Sequence, residues 1–290
     1  MPGLIEIASA DLSAAINPLG AELTHLRDPQ GRELMTDADP RWWTGHAPIL
    51  FPMVGRANGD VIRVDGVEYA MRQHGFARHK QFDLVTHEAA RAVFRLTDNE
   101  ETRAVYPFAF ALYVGFTLEG ETLSIDVRIE NRGDAVMPSS FGFHPAFAWP
   151  LPYGALREVH RIVFDADEPE RLNEINGGLI AAETRASPLD GRTLALRDDL
   201  FVDDALVWDG IHSSSVTYGG AQGPQLQIAF PDTPKLGIWT KPGAHYVCVE
   251  PWHGIADPVG FTGDFRDKPG VFEIAPHDDW TCSMRVTLLP

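Results

Sequence analysis

Leu123-Ser124-Ile125-Asp126-Val127-Arg128-Ile129 places apolar side chains at 123, 125, 127 and 129 and polar ones at 124, 126 and 128. Side chains two apart share a face of a strand, so the segment should cover a core on one side and meet water or a polar cleft on the other. The alternation recurs at 110–118 and at 159–164, and short elements of the same kind follow at 194–196, 214–216, 226–230, 236–239, 245–249 and 282–288. Ahead of it, residues 4–16 read as two short strands broken around 9–11, and 21–27 as another. Turns at Asn17-Pro18-Leu19-Gly20 and Asp28-Pro29-Gln30-Gly31 separate them. The 26 glycines and 22 prolines are spread between these elements without a linker run, which predicts tight turns inside one all-β domain spanning 1–290. The helix candidates are short, around 38–43 and 258–265, and no long window holds a 3.6-residue period. Residues 165–195 are polar and irregular, with Asn173, Asn176, Gly177 and Gly178 close together. They are either a loop over one mouth of a sandwich or a hairpin.

The chain has 290 residues, 44% of them apolar, enough for a substantial core. Its formal charge of −17 disfavours nucleic acid and anionic membrane as partners but leaves room for a small phosphorylated ligand held by a few local arginines. Cys248 and Cys282 both fall in expected strands, outside any CxxC, and read as free buried thiols in a reducing compartment. The first residues, MPGLIEIASADLSAAI, carry two acids and no basic region ahead of an apolar run, and nothing approaches a membrane-spanning length. A cytoplasmic location is the expectation.

Four stretches could carry chemistry. In the run from Ala47 to Gly59, Gly55-Arg56-Ala57-Asn58 sets a guanidinium fork beside a flexible backbone, suited to sugar hydroxyls or phosphate, or else to a solvent-facing strand end. Gln73-His74-Gly75-Phe76-Ala77-Arg78-His79-Lys80 packs two imidazoles and two cations into eight positions of an acidic chain, though a lone histidine is often structural. In Ser139-Ser140-Phe141-Gly142-Phe143-His144-Pro145-Ala146-Phe147, aromatic neighbours and a proline should hold the His144 ring. That company suits the apolar face of a pyranose as well as a plain aromatic cluster. In Val249-Glu250-Pro251-Trp252-His253-Gly254, apolar surroundings should raise the Glu250 pKa toward that of a general base, unless an arginine pairs with it. Asp203 and Asp204 could accept hydrogen bonds from hydroxyls or could simply be turn residues. No HExxH or Cys/His array suggests a metal, and only one convincing acid is present where a two-carboxylate hydrolase needs two.

Taken in order, ILFPMVGRANG, QHGFARH, GFHPAF, FVDDAL and LGIWTKPGAHYVCVEPWHG resemble the aldose 1-epimerase superfamily, most closely its LacX-like, galactose-mutarotase-related bacterial branch. The resemblance implies a large antiparallel β supersandwich that interconverts sugar anomers in an open cleft without metal or organic cofactor. It implies Glu250 as catalytic base, His144 as general acid, and His74, Arg56 and Asp204 as substrate-binding residues, with Asp203 competing for the last role. Trp252, beside Glu250, is a further candidate contact. The stretch Phe143-His144-Pro145 departs from the better-known galactose mutarotases, which carry asparagines around the histidine. The HGFAR form of the His74 motif is shared with hexose-6-phosphate epimerases, and Arg56, Arg78 and Lys80 would then face a phosphate. The expected partner is a small sugar or sugar phosphate, and the expected assembly a monomer or homodimer.

Overall fold

The computed structural model describes residues 3–169, 171–231 and 233–290. The segment 123–129 lies inside the strand Thr122–Asn131, with Leu123, Ile125, Val127 and Ile129 buried and Asp126 and Arg128 exposed. Its register shows why the alternation matters. Ile125 faces Phe116 on one side and Met284 on the other, and Val127 faces Val114 and Cys282, so apolar side chains line up across three strands.

These strands are the middle of a nine-stranded sheet. Its order runs Thr193–Ala195, Arg161–Phe164, Ser215–Gly219, Gln225–Ala229, Asp279–Leu289, Thr122–Asn131, Phe110–Glu119, Arg91–Thr97 and Asp83–Glu88. A second sheet of eight runs Leu179–Ala186, Arg171–Asn176, Leu206–Asp209, Lys235–Trp239, Tyr246–His253, Phe141–Phe143 and Ile49–Leu50, with Ala146–Ala148 also paired to Tyr246–His253. The strand pairings within both sheets are antiparallel. One core cluster draws on both, for example Ile125 and Ile228 from the first and Leu206, Ile238, Val247 and Val249 from the second. A three-stranded sheet, Ile5–Ala8, Ser13–Asn17 and Glu22–Arg27, adds Ile7, Ile16 and Leu23 to it. The architecture is therefore all-β with few short helices, as the sequence predicts.

Neither helix candidate forms. At 38–43 the chain makes a turn in which the Asp39 carbonyl accepts from the Trp42 and Trp43 amides and its carboxylate from Arg41, a local alternative to helix. At 258–265, Pro258, Gly260 with φ +79° and Gly263 break any helical run, and only a short turn at Phe265–Asp267 remains. The polar segment resolves into a hairpin of Arg171–Asn176 and Leu179–Ala186. Its turn residues Gly177 and Gly178 both have positive φ, which suits the twist of a two-residue hairpin. Cys248 is buried and Cys282 half-buried, both unpaired. No helix among the described residues is long and apolar enough to cross a membrane.

Two buried features tie the loops above the second sheet together. Gly75, at φ +72°, passes so close to Phe51 that a Cβ there would lie 2.2 Å from the Phe51 carbonyl oxygen, so only glycine fits. Lys268 Nζ donates to Asp257 Oδ1 at 2.7 Å with side-chain exposures of 0% and 5%. Asp257 Oδ2 accepts from the Asn58 amide and its own amide donates to the Arg56 carbonyl, which pins the Gly55–Asn58 turn to the segment 255–257. Burial pulls the Lys268 ammonium down to about 8, against the opposing charge of Asp257. Replacing one partner of such a pair strands the other charge in the interior. Lys268→Met is expected to cost about 3–5 kcal/mol, read as a lowered urea midpoint at unchanged slope.

Candidate active site

The strand Tyr246–His253 sorts its side chains by parity. Val247 and Val249 enter the main core, while Cys248, Glu250 and Trp252 turn to the opposite face. Its neighbour Lys235–Trp239 does the same, sending Leu236 and Ile238 inward and leaving Gly237 and Trp239 on the outer face. Gly237 stands opposite Glu250 and Gly142 opposite Trp252. A Cβ on either glycine would come within 2.6 Å of the Trp252 ring, so the indole lies flat across the sheet only because both are glycine.

Over this face opens a cleft of about 340 Å³ lined by Trp43, His74, Arg78, His144, Asp204, Trp239, Glu250 and Trp252. The hairpin contributes Ile175, Gly178 and Ile180 to its wall, and the segment after Gly254 contributes Ile255 and Ala256. Larger depressions of about 540 and 790 Å³ exist elsewhere, but neither is lined by His144 or Glu250. Chemistry rather than size marks the smaller one.

At its floor His144 Nε2 lies 3.1 Å from Glu250 Oε2, and the two side chains are 8% and 2% exposed. Burial pushes the Glu250 carboxyl well above the usual carboxylate range, and the charge of Asp204 pushes it further. Arg78 opposes that rise. Burial drives the His144 imidazole well below its ordinary value, helped by His74 and Arg78. Burial thus favours the neutral form of each group, and a neutral pair carries one transferable proton. His144 Nδ1 has no hydrogen-bond partner among the described residues.

The ring of His144 is held by aromatic groups, as expected, but not by its sequence neighbours. Trp43 lies 5.0 Å away, His74 5.7 Å away at a near right angle, and Trp239 6.0 Å away. Phe141 and Phe143 point into the core instead. His74, at φ +65°, accepts from the Gly55 amide through Nδ1 at 3.1 Å, which leaves its proton on Nε2, 3.3 Å from the side-chain amide of Gln73 at the cleft wall. Burial and the charge of Arg78 push it down to about 3.

Among the cations of the sequence, Arg78 alone lines the cleft. It is half-buried and has no carboxylate within salt-bridge distance among the described residues, and burial lowers its pKa against the pull of Glu22 and Glu250. Arg56 does not line the cleft. Its guanidinium is paired to Asp60 at 2.8 Å and donates to the Gly177 carbonyl, so it fastens the hairpin tip. Lys80 lies outside the cleft and is paired to Glu101. Asp204, at φ +78°, faces the cleft and Asp203 does not. Sequence reasoning missed Trp43, Trp239 and the hairpin isoleucines as cleft residues. The available signal was the outward parity of Trp239 and the paired tryptophans Trp42-Trp43.

An antiparallel supersandwich with an aromatic-walled cleft over a buried histidine–carboxylate pair defines the class of protein. Residues 3–263 match the family model for aldose 1-epimerase, and the chain belongs to that family. It is 31% identical to the chromosomal protein LacX of Lactococcus lactis subsp. lactis over 98% of this chain and 99% of that one. Among solved structures, a galactose mutarotase related enzyme from Lactobacillus acidophilus superposes with a TM-score of 0.92 at 31% identity, covering 99% of this chain and 97% of that one. A galactose mutarotase-like protein from Lactobacillus casei superposes at 0.91 with 27% identity, covering 99% and 100%.

Because Asp204 helps to keep the Glu250 carboxyl protonated, Asp204→Asn should let it ionise at lower pH. A carboxyl-carbon NMR titration would check this, with the Glu250 resonance expected to titrate at lower pH than in the wild type.

Proposed function

We propose that the protein is an aldose 1-epimerase that interconverts the α and β anomers of a neutral hexose, and that it falls in the LacX-like branch of its family. The observation that carries this reading is the buried contact of His144 with Glu250 at the cleft floor. Anomer exchange needs one group to take the O1 proton and another to protonate O5, and both oxygens are bonded to C1. An acid and a base in mutual contact can therefore serve one sugar.

The neutral pair holds the same number of protons as a Glu250 carboxylate beside a His144 imidazolium. Hydroxyls of the bound sugar donate to Glu250 and favour its ionised form, and the proton moves across the contact to His144. Glu250 then removes the O1 proton while His144 donates to O5. The C1–O5 bond breaks, and its electron pair becomes the lone pair of a neutral O5 hydroxyl. Rotation about C1–C2 exposes the other face of the aldehyde, and reclosure returns both protons. His74 Nε2–H and Arg78 would steady the oxygens near the reacting bond, Asp204 would accept from a distal hydroxyl, and Trp43, Trp239 and Trp252 would offer apolar faces to the ring. The steps are proton transfers and call for no cofactor.

Charge favours a neutral substrate. Arg78 is the one cation in the cleft, and Asp204 borders the same space, while Arg56 and Lys80 are held by Asp60 and Glu101. A phosphate dianion would meet one guanidinium and one carboxylate. The hexose-6-phosphate reading rests on Arg78 alone, and the two unpaired cysteines suit work in a reducing compartment such as the cytoplasm.

Anomer exchange measured by NMR on galactose, glucose and glucose 6-phosphate decides among the readings. Fast exchange of a neutral sugar is expected, with Glu250→Gln slower by about 10²–10⁴-fold. Exchange confined to the phosphate would replace this reading with the phosphorylated one, and binding without exchange would make the protein a carbohydrate binder. The same variant should be at least as stable as the wild type at neutral pH. A carboxyl whose folded pKa is raised loses stability as pH climbs from its unfolded value toward the folded one, and Gln has no such loss. Thermal unfolding checks this and separates lost chemistry from lost fold.

A further inference from the structure

Cys248 takes no part in the acid–base reading, yet it is fully buried on the same strand face as Glu250. Its Sγ, a ring nitrogen of His144 and a carboxylate oxygen of Glu250 all lie within 4.8 Å of one another. One thiol, one imidazole and one carboxylate make the donor set that suits zinc and similar borderline-soft divalent ions. We propose that the cleft floor is also a binding site for a zinc-type divalent cation, held by Cys248, His144 and Glu250, and that its occupancy blocks proton transfer. The blocking half rests on the epimerase reading; the site itself does not.

The geometry needs little change. Tetrahedral zinc with bonds of about 2.0–2.3 Å holds its ligands roughly 3.3–3.8 Å apart, and the His144–Glu250 side already measures 3.1 Å. Turning the Cys248 and Glu250 side chains closes the remainder. His144 and Glu250 line the cleft and the buried Cys248 does not, so the ion enters past the first two, and water or a sugar hydroxyl can take its fourth position. Binding balances in charge. Cys248 gives up its thiol proton and the histidine–glutamate pair gives up the proton it holds, so two protons pass to solvent as the dication arrives. With both reacting atoms coordinated, neither accepts nor donates a proton. The carboxylate of Asp204 at the cleft and the formal charge of −17 favour a cation, and Arg78 opposes it.

Cobalt(II) tests the site directly, because a thiolate bound to it absorbs in the near ultraviolet. Titration of the full chain should give that band at equimolar cobalt, and zinc should remove it. The band should persist in Cys282→Ala, which removes the only other cysteine. It should vanish in Cys248→Ala, or in Cys248→Ser if alanine loosens the core. In exchange assays zinc should inhibit and a chelator should restore the rate. Cys248→Ala should need at least about 10-fold more zinc for equal inhibition, since even outer-sphere changes cost roughly 10–100-fold in affinity. A wild type without the band, or a band or zinc sensitivity unchanged in both Cys248 variants, overturns the site. A cobalt band in a protein that exchanges no sugar would sink the epimerase reading and leave the site standing.

Discussion

The two-residue period of the strand Tyr246–His253 is the constraint on which the rest of the molecule turns. Strand geometry sends alternate side chains to opposite faces, so placing Val247 and Val249 in the core obliges Cys248, Glu250 and Trp252 to face the other way. A slip of one residue would bury the valines' positions under a carboxylate and carry the glutamate out of reach of His144. Register in turn depends on the neighbours. Gly237 and Gly142 leave the space into which Trp252 spreads, and any side chain there would push the indole off the sheet. The catalytic candidate is thus fixed by the same packing that builds the sandwich.

Burial is what gives this carboxylate its chemistry. A carboxylate in water is ionised at neutral pH and does not pass a proton to and fro; a buried one can. Burial beside His144 favours the protonated form of Glu250, with Asp204 adding to the shift. The opposing pull of Arg78 keeps the ionised form within reach once hydroxyls arrive. The arrangement sets an acid and a base side by side at no net charge, in a cleft whose one cation and exposed aspartate also cancel.

Much of this was legible in the residues. The alternation at 123–129 exposed a half-buried strand because apolar and polar positions strictly took turns, and the apolar setting of Glu250 signalled a raised pKa. The hairpin at 171–186 was not resolved because its strands carry no clean alternation and a bulge between Asn173 and Ile175 breaks the register. Short helices were expected at 38–43 and 258–265 where local hydrogen bonding by Asp39 and the conformations of Gly260 and Pro258 prevail. Arg56 reads as a guanidinium for sugar or phosphate or as a solvent-facing strand end, and its pairing with Asp60 depends on a turn that places Asp60 at φ +57°. Pairings that depend on such backbone turns, or on contacts between distant segments such as Trp43 with His144, leave little trace in local sequence.

Arg56 also shows how a residue outside the cleft can shape it. Its backbone carbonyl accepts from Asp257, itself fixed by buried Lys268, and its side chain reaches the Gly177 carbonyl at the hairpin tip. The neighbouring amide of Gly55 donates to His74 Nδ1 and thereby sets the tautomer with its N–H on Nε2, beside the Gln73 side-chain amide. A single turn, Gly55–Asn58, therefore connects the buried ion pair, the hairpin that walls the cleft and the imidazole beside His144. Glycine at 55 is required for this, since a Cβ would lie 2.4 Å from the Ala256 backbone. The hydrogen bonds gathered on this one turn tie the walls of the cleft to one another above the sheet.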